Sequence, residues 1–197
     1  MIRILIGIAV ICCCIACADE KQSSTNKNTT TAQNFKTLSS IIEKKEYPNI
    51  DGLQHWKVYK KDSVLLEEGD ALNGNKNGSW VVYHTNGLVN KMSTYINGKL
   101  NGTYIHLSKR GALLEKHDYM NGLLDGKKIK YNNRAKIALD ENYVAGKLEG
   151  PRLLYYEDGT IQEDGYFKNG ERHGLQQWYD EKGELTIKYE YENGEKL

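Results

Sequence analysis

The stretch Tyr83-His-Thr-Asn-Gly87, followed by Tyr95-Ile-Asn-Gly98-Lys-Leu-Asn-Gly102, decides the fold, because the chain repeats this pattern at a fixed interval. Two columns of glycine recur every 24 residues: Gly74, Gly98, Gly122, Gly146, Gly170 and Gly194, and four residues behind them Gly78, Gly102, Gly126, Gly150 and Gly174. A fixed period of this length indicates a repeat architecture, in which one short unit is stacked on itself. Six units of 24 residues begin at Gln54, Gly78, Gly102, Gly126, Gly150 and Gly174, so that residues 54–197 form the predicted repeat domain.

Each unit has the sequence pattern of a β-hairpin. Apolar residues alternate, as at Val81 and Tyr83, and alternation is typical of strands because successive side chains point to opposite faces. Asn-Gly and Asp-Gly pairs between the strands accept positive φ at low cost and favour hairpin turns. We therefore predict an all-β fold, an elongated array of antiparallel hairpins with about 12 strands and its aromatic columns stacked along one face. Unit four carries Arg134-Ala135 in mid-unit, and we expect a different or looser turn there.

The residues before the repeat divide into two segments. Residues 17–35 are polar and nearly free of large apolar groups, which predicts a flexible tether. Residues 36–53 are predicted to form a short helix and cap. The helix is expected from Lys36 to Tyr47, because Leu38, Ile41 and Ile42 have helical spacing and Pro48 would end it.

Residues 1–16 have the features of a lipoprotein signal peptide. Arg3 precedes an apolar run from Ile4 to Ile15, which is shorter than the ~20 residues that a membrane-spanning helix needs. Cys14-Ile-Ala-Cys17 resembles the bacterial lipobox, in which the last cysteine is lipidated and becomes the first residue of the mature protein. Cys17 is therefore the predicted lipidation site and the membrane the first predicted partner. An ordinary cleaved signal and an uncleaved anchor are the alternatives.

The charge balance of the mature chain argues against nucleic acid as a partner. Removal of residues 1–16 takes away Arg3 and leaves 26 basic and 26 acidic residues, a net charge of zero. Such a chain has no strongly basic surface for a phosphate backbone. Asp19-Glu20, just after the predicted lipid anchor, resembles an acidic export signal of surface lipoproteins. We expect a bacterial cell-envelope protein held at the outer membrane, with the periplasmic and the surface side both open.

Two columns on the side of the sheet away from Tyr83 change from aromatic to cationic along the chain. They include Trp56, Trp80 and Tyr104 in units one to three, then Lys128, Lys130 and Arg152 in units four and five. An exposed patch of this kind predicts a binding surface with aromatic anchors. The alternative is that the predicted helix covers Trp56 and Trp80 with its apolar side.

Nothing in the repeat predicts catalysis. The five histidines fall in different columns, so they do not converge on a metal, and we expect each of them to be solvated. The G-x-x-x-G loops lack the Lys-Ser/Thr and the following helix of a phosphate-binding loop. We therefore predict no enzyme activity, no catalytic or metal-binding residues and no cofactor.

The repeated pattern resembles the MORN-repeat variant (membrane occupation and recognition nexus). Tyr83 to Gly102 carry the resemblance, and Tyr155 to Gly174 carry it again with Phe167 in place of tyrosine. The resemblance implies contact with protein or lipid and brings no enzymatic residues. Bacterial proteins of this kind are often assigned to the YwqK-family antitoxins. The expected function is a protein-interaction scaffold with an unidentified protein partner, and the alternatives are a lipid- or glycan-binding module and an antitoxin or immunity protein.

Overall fold

A computed structural model describes residues 40–61 and 63–197, which all belong to one structural unit, Leu38–Leu197. Every regular element in this part of the chain is a β-strand, and the strands form a single 17-stranded sheet. The strands are β1 (Ser40–Glu46), β2 (Leu53–Lys60), β3 (Leu65–Leu72), β4 (Asn75–Tyr83), β5 (Val89–Ile96), β6 (Lys99–Leu100), β7 (Gly102–Leu107), β8 (Leu113–Met120), β9 (Leu123–Tyr131), β10 (Ile137–Val144), β11 (Lys147–Leu148), β12 (Gly150–Tyr155), β13 (Ile161–Lys168), β14 (Glu171–Arg172), β15 (Gly174–Tyr179), β16 (Leu185–Glu192) and β17 (Glu195–Lys196).

The sheet follows the order of the chain, and each strand of six or more residues pairs antiparallel with the next such strand. Twelve longer strands follow β1, two for each 24-residue unit, and β6, β11, β14 and β17 are two-residue extensions beside the turns. The second strand of each unit begins at the same column: Leu65, Val89, Leu113, Ile137, Ile161 and Leu185. The predicted antiparallel sheet of hairpin strands is confirmed.

The predicted N-terminal helix is wrong for the residues that the structure describes. Ser40–Glu46 form β1, which pairs with β2 from Ser40 opposite Lys60 to Glu46 opposite Gln54. The strand satisfies the backbone groups along the outer edge of β2, which a helix would leave unpaired. Ile41 and Ile42 stay about half exposed and do not cover Trp56 and Trp80 as proposed. Positions 36–39 of the predicted helix lie outside the described residues.

The turns explain why glycine recurs. Asn97 and Gly98 have φ of 49° and 78°, and two successive positive values match the type I′ turn that suits hairpin twist. In unit four Ala135 adopts a φ of 58° where units two, three, five and six have glycine and unit one has Ser63 with a φ of 66°. The Ala135 N–H donates to the Asn132 carbonyl at 3.0 Å, as the Gly87 N–H does to His84 at 2.9 Å. The expectation of a different turn in unit four is wrong.

Cross-strand pairing defines the two faces of the sheet, because directly opposite residues point to the same side. One unbroken row crosses the sheet through Ile42, Val58, Glu67, Val82, Lys91, His106, Glu115, Lys130, Leu139, Leu154, Glu163, Trp178 and Ile187. By this register, the buried side chains of the described residues all lie on the same face as that row: Val58, Glu67, Ala71, Trp80, Ser93, His117, Leu139, Glu141, Glu163, Phe167 and Gln176. We call it the buried face and the other one the open face.

The two aromatic columns lie on opposite faces, not on one face as predicted. The Tyr95 ring is on the buried face, where Lys76 Nζ lies 4.0 Å from the Trp80 ring centroid and 5.6 Å from that of Tyr95. Tyr83 is on the open face and donates a 2.6 Å hydrogen bond to Glu68. This bond to a carboxylate raises the pKa of Tyr83 to about 12.

Candidate functional site

The predicted binding residues lie on the buried face, and Trp80 is enclosed there. Its ring lies directly over Gly69, and its Nε1–H donates to the Asp70 carbonyl at 2.6 Å. Trp56 meets it edge to face with ring centroids 6.3 Å apart. Trp80 is 1% exposed, so the expected exposed stripe is wrong at this position. Its location is that of a core residue.

Trp56 and Tyr104 are only partly covered, and each has its own neighbours. Lys44 Nζ lies 4.3 Å from the Trp56 ring centroid. Tyr104 stacks on His117 with centroids 5.3 Å apart and an interplanar angle of 28°. His117 is buried, which corrects the expectation that every histidine is solvated. Burial lowers the pKa of His117, so its imidazole is neutral at pH 7.

The predicted cationic residues are paired with acids on the same face. Glu141 accepts a hydrogen bond from Lys128 Nζ at 2.8 Å and from Arg152 Nε at 3.0 Å. The other side of the Arg152 guanidinium meets Glu163 at 2.7 Å. Lys130 Nζ lies 3.2 Å from a third acid, Glu115. The cationic patch that the sequence predicted is therefore neutralised by its neighbours.

The pKa shifts of Glu141 and Lys128 both favour the charged form of the side chain. Burial raises the pKa of Glu141, but the hydrogen bonds from Lys128 and Arg152 outweigh burial, and the net pKa is lowered. Burial lowers the pKa of Lys128, and its hydrogen bond to Glu141 reverses this, so the net pKa is raised. Both groups are ionised at neutral pH, and the carboxylate lies between two cations.

Glu115, Glu141 and Glu163 are the residues that sequence reasoning missed on this face. They occupy the second strand of their units, whereas the predicted binding residues all lie on the first strand. Part of the signal was available, because Glu141 and Glu115 fall opposite Lys128 and Lys130 once the strands are placed in antiparallel register. Glu163 lies opposite Leu154 and Trp178 and meets Arg152 diagonally. The six predicted residues do not form one site. They divide into a tryptophan pair, a tyrosine–histidine stack and a charge cluster.

A second surface was not predicted and is exposed. Four large apolar side chains lie on the open face just beside the Asn-Gly-type turns, with exposed fractions of 51–57%: Ile96, Met120, Leu123 and Val144. We call them the turn-edge stripe. Met120 pairs directly with Leu123, while Ile96 and Val144 pair with Lys99 and Lys147. Equivalent positions in successive units are two strands, or roughly 10 Å, apart.

The backbone beneath the turn-edge stripe is tied from unit to unit. The N–H of Gly98 donates to the Lys76 carbonyl at 2.8 Å, and the N–H of Gly122 to the Leu100 carbonyl at 2.7 Å. The Gly146 N–H repeats the bond to Leu124 at 2.7 Å. These bonds fix the spacing of the turns, so the stripe is a preformed surface. Its signal in the sequence is the column Leu72, Ile96, Met120 and Val144, which is apolar in four units in succession.

Within residues 40–61 and 63–197, no group of three or more His, Cys, Asp and Glu side chains is placed to hold a metal ion. In the same part of the chain, no helix has the length and apolar character needed to cross a membrane. The predicted signal peptide, Cys17 and the tether lie outside the described residues.

Together, the sheet and its two surfaces define a repeat protein of antiparallel hairpins, each unit tied to the next. Comparison with protein families agrees with this class. The family model of the MORN repeat variant matches residues 148–169 and 172–193, which lie in units four to six. No curated protein matched the chain.

Proposed function

We propose that the protein is a non-catalytic lipoprotein of the bacterial cell envelope, anchored through Cys17, whose repeat sheet serves as a scaffold for another protein. The turn-edge stripe is the observation that supports the protein-binding part of this proposal. Each of its four apolar side chains is more than half exposed: Ile96, Met120, Leu123 and Val144. They lie beside successive turns on the same face of the sheet. Contiguous exposed apolar side chains of this kind mark interaction surfaces in soluble domains.

The stripe suits a partner better than the originally predicted face does. Trp80 is buried, and Lys128 and Arg152 already have acidic partners. Binding through those side chains would first have to break contacts that stabilise the sheet. The stripe needs no such rearrangement, because its side chains have solvent on one side and a fixed backbone on the other. Binding by the part-exposed Trp56, Tyr104 and Lys130 stays a prediction.

A photo-crosslinking amino acid at position 120 tests the scaffold proposal. We expect a discrete protein adduct when the substituted full chain is irradiated in native membranes, since Met120 is at the centre of the stripe and 57% exposed. The matched control is the same probe at Lys168, which occupies the same column two units further on and pairs with Glu171. A second chain carries the probe at position 123 in place of Leu123. In that chain the additional substitution Met120→Glu should abolish the adduct. Equal adducts at 120 and 168, or none at either, would contradict the proposal.

Cys17→Ala tests the anchor separately. We expect the variant to leave the membrane fraction and to lose labelling by palmitate, because several buried acyl chains, at ~0.8 kcal/mol for each CH₂, hold a lipoprotein at a bilayer. The measurement is fractionation with metabolic labelling of the wild-type and variant chains. Retention of both membrane association and label would refute lipidation at Cys17.

A second candidate function is direct contact with lipid or glycan. Lys99 and Lys147 support it, because each is paired with an apolar residue of the stripe and suits an anionic surface. Flotation of the Cys17→Ala chain with anionic liposomes at low salt would test lipid binding, and absence of flotation would eliminate it. The resemblance to YwqK-family antitoxins supports a third candidate, an immunity role against an exported toxin. A neighbouring gene of unrelated metabolic function would count against that role.

A further inference from the structure

The chain contains eight Asn-Gly pairs, which begin at Asn73, Asn77, Asn86, Asn97, Asn101, Asn121, Asn169 and Asn193. Asparagine in such a pair is chemically labile, because the backbone nitrogen of the following residue can attack its side-chain amide and glycine has no Cβ to hinder the attack. The attack requires the glycine N–H to be released from hydrogen bonds and to lose its proton. The hydrogen-bond partners of these glycines therefore decide which asparagine reacts first.

Seven of the eight glycines are held by the fold. Gly78 and Gly102 lie inside β4 and β7, and the N–H of Gly87 donates to the His84 carbonyl at 2.9 Å. The other four lie in the turns near the ends of their units, and each N–H donates to a carbonyl of the preceding unit at 2.7–2.9 Å: Gly98 to Lys76, Gly122 to Leu100, Gly170 to Leu148 and Gly194 to Arg172.

Gly74 is the exception. Within residues 40–61 and 63–197, no group accepts its N–H. Gly52 stands 24 residues before Lys76, so its carbonyl is the one that Gly74 would use by analogy with the later units. That carbonyl accepts the N–H of Asn73 instead, at 2.8 Å. A Cβ at position 74 would meet no atom within 4 Å, so this turn is open to water.

The preceding unit explains the difference. In unit three the N–H of Asn121 donates to Asn101 Oδ1 at 3.2 Å, which leaves the Leu100 carbonyl to the N–H of Gly122. Leu53 occupies the column of Asn101 in unit one, and its side chain has no acceptor atom. There the backbone carbonyl that the glycine would need is taken by the asparagine.

The conformation of the turn does not separate unit one from the others. Asn73 and Gly74 have φ of 50° and 79°, and Asn97 and Gly98 have 49° and 78°. All four residues are exposed. The turns therefore differ in the hydrogen bond of the glycine N–H and not in the shape of the backbone.

We propose that Asn73 is a site of spontaneous deamidation and that it reacts before the other seven asparagines. Hydroxide removes the proton of the Gly74 N–H, and the nitrogen forms a bond to Cγ of Asn73. The Cγ–Nδ2 bond breaks, and the leaving nitrogen takes a proton from water and departs as ammonia, which leaves a five-membered succinimide. Water then opens this ring at one of its two carbonyl carbons. The net reaction consumes one water and releases one ammonia.

The position of the ring opening decides the product. Opening at one carbonyl gives aspartate, and opening at the other gives isoaspartate, in which the main chain runs through the former side chain. Either product places a new carboxylate on the turn between β3 and β4, where Asn73 is bonded to Gly52. This site is separate from the turn-edge stripe, and the proposal does not depend on the proposed function.

Peptide mass mapping of the full chain, incubated in detergent solution at mildly alkaline pH, tests the proposal. We expect Asn73 to convert about fivefold to tenfold faster than Asn121, because the held turns must first release one backbone hydrogen bond. Asn121 is the matched control within the same chain. In guanidinium chloride the two rates should converge, since the turns are then lost. Equal rates in the folded chain, or a ratio that persists in denaturant, would overturn the proposal.

Isoelectric focusing gives a second measurement on the same time course. The wild-type chain and the Asn121→Asp variant should each produce an early acidic species, because both retain Asn73. Asn73→Asp should lack that species, since position 73 already carries the charge and has no amide to lose. An early acidic species that forms at the wild-type rate in Asn73→Asp would show that another asparagine reacts first.

Discussion

Trp80→Ala is expected to lower the free energy of unfolding by about 3–5 kcal/mol, the range for a large aromatic side chain removed from a core. Trp80 is among the two largest fully buried side chains of the described residues. Its removal exposes the surface of Gly69 and breaks the Nε1–H bond to the Asp70 carbonyl. The described strands form one sheet, so no second sheet in this part of the chain could close over the gap, and little relaxation is expected. Denaturant unfolding followed by tryptophan fluorescence and circular dichroism gives the measurement.

Trp56→Ala is the matched control for this prediction. Trp56 is one hairpin away on the same face, contacts Trp80 edge to face and is only half buried. Because it loses less apolar contact, we expect its replacement to cost less than half as much. If Trp80→Ala were no more destabilising than Trp56→Ala, Trp80 would not be the core residue that its burial indicates. Both variants retain one tryptophan of the pair, so fluorescence reports each transition.

Glycine at position 69 is part of the same arrangement. A Cβ atom there would lie 2.5 Å from the Trp80 ring and 2.7 Å from the Ser79 carbonyl oxygen. Position 165 repeats this arrangement four units later, where the side chain of Gln176 takes the place of the ring. These two glycines are required by close packing, whereas the glycines of the 24-residue columns are required by turn geometry. The sequence alone did not separate the two kinds.

The repeat period made the hairpin units predictable, but not the faces of the sheet. Strand and turn positions follow from alternation and from Asn-Gly pairs, which are local signals. The assignment of faces depends on the bulge between Val82 and Tyr83, which shifts the register by one residue in mid-unit. The sequence does not reveal this bulge, so the Tyr83 and Tyr95 columns were predicted to lie on the same face. One residue of register moves a side chain to the other side of the sheet.

The site was less predictable than the fold, for two physical reasons. Exposure cannot be deduced from residue type in a sheet with one buried face: Trp80 was expected on the surface and is enclosed, while Met120 is exposed. Charge compensation depends on cross-strand neighbours, and these are distant in sequence, as Glu141 is from Lys128. The N-terminal strand was missed because Ile41 and Ile42 fit a helical pattern when read without their partner strand.

Replacement of Glu141 by alanine is the second large effect that we expect, a loss of about 3–5 kcal/mol in the free energy of unfolding, because it removes the carboxylate partner of Lys128 and one of the two carboxylate partners of Arg152. The Glu141 side chain is 8% exposed, and its oxygens accept hydrogen bonds from Lys128, Arg152 and the Tyr143 hydroxyl. Asp140→Ala is the control. The Asp140 carboxylate lies on the open face, 2.7 Å from Lys127, whose side chain is 46% exposed. A solvated pair of that kind contributes at most about 1 kcal/mol.

The pH dependence of the Glu141 effect has a defined sign. The pKa of Glu141 is lower in the folded chain than its ordinary value of 4.5, because the hydrogen bonds from Lys128 and Arg152 outweigh the effect of burial. The stability that this carboxylate contributes is therefore fully present above about pH 4.5 and is lost as the pH falls through the lowered pKa of the folded state. The difference in melting temperature between wild type and Glu141→Gln should be constant from pH 7 to about 5 and should narrow below pH 4.5. A difference that stays constant down to pH 2, or one that widens in acid, would show that the charge of Glu141 does not hold the cluster together.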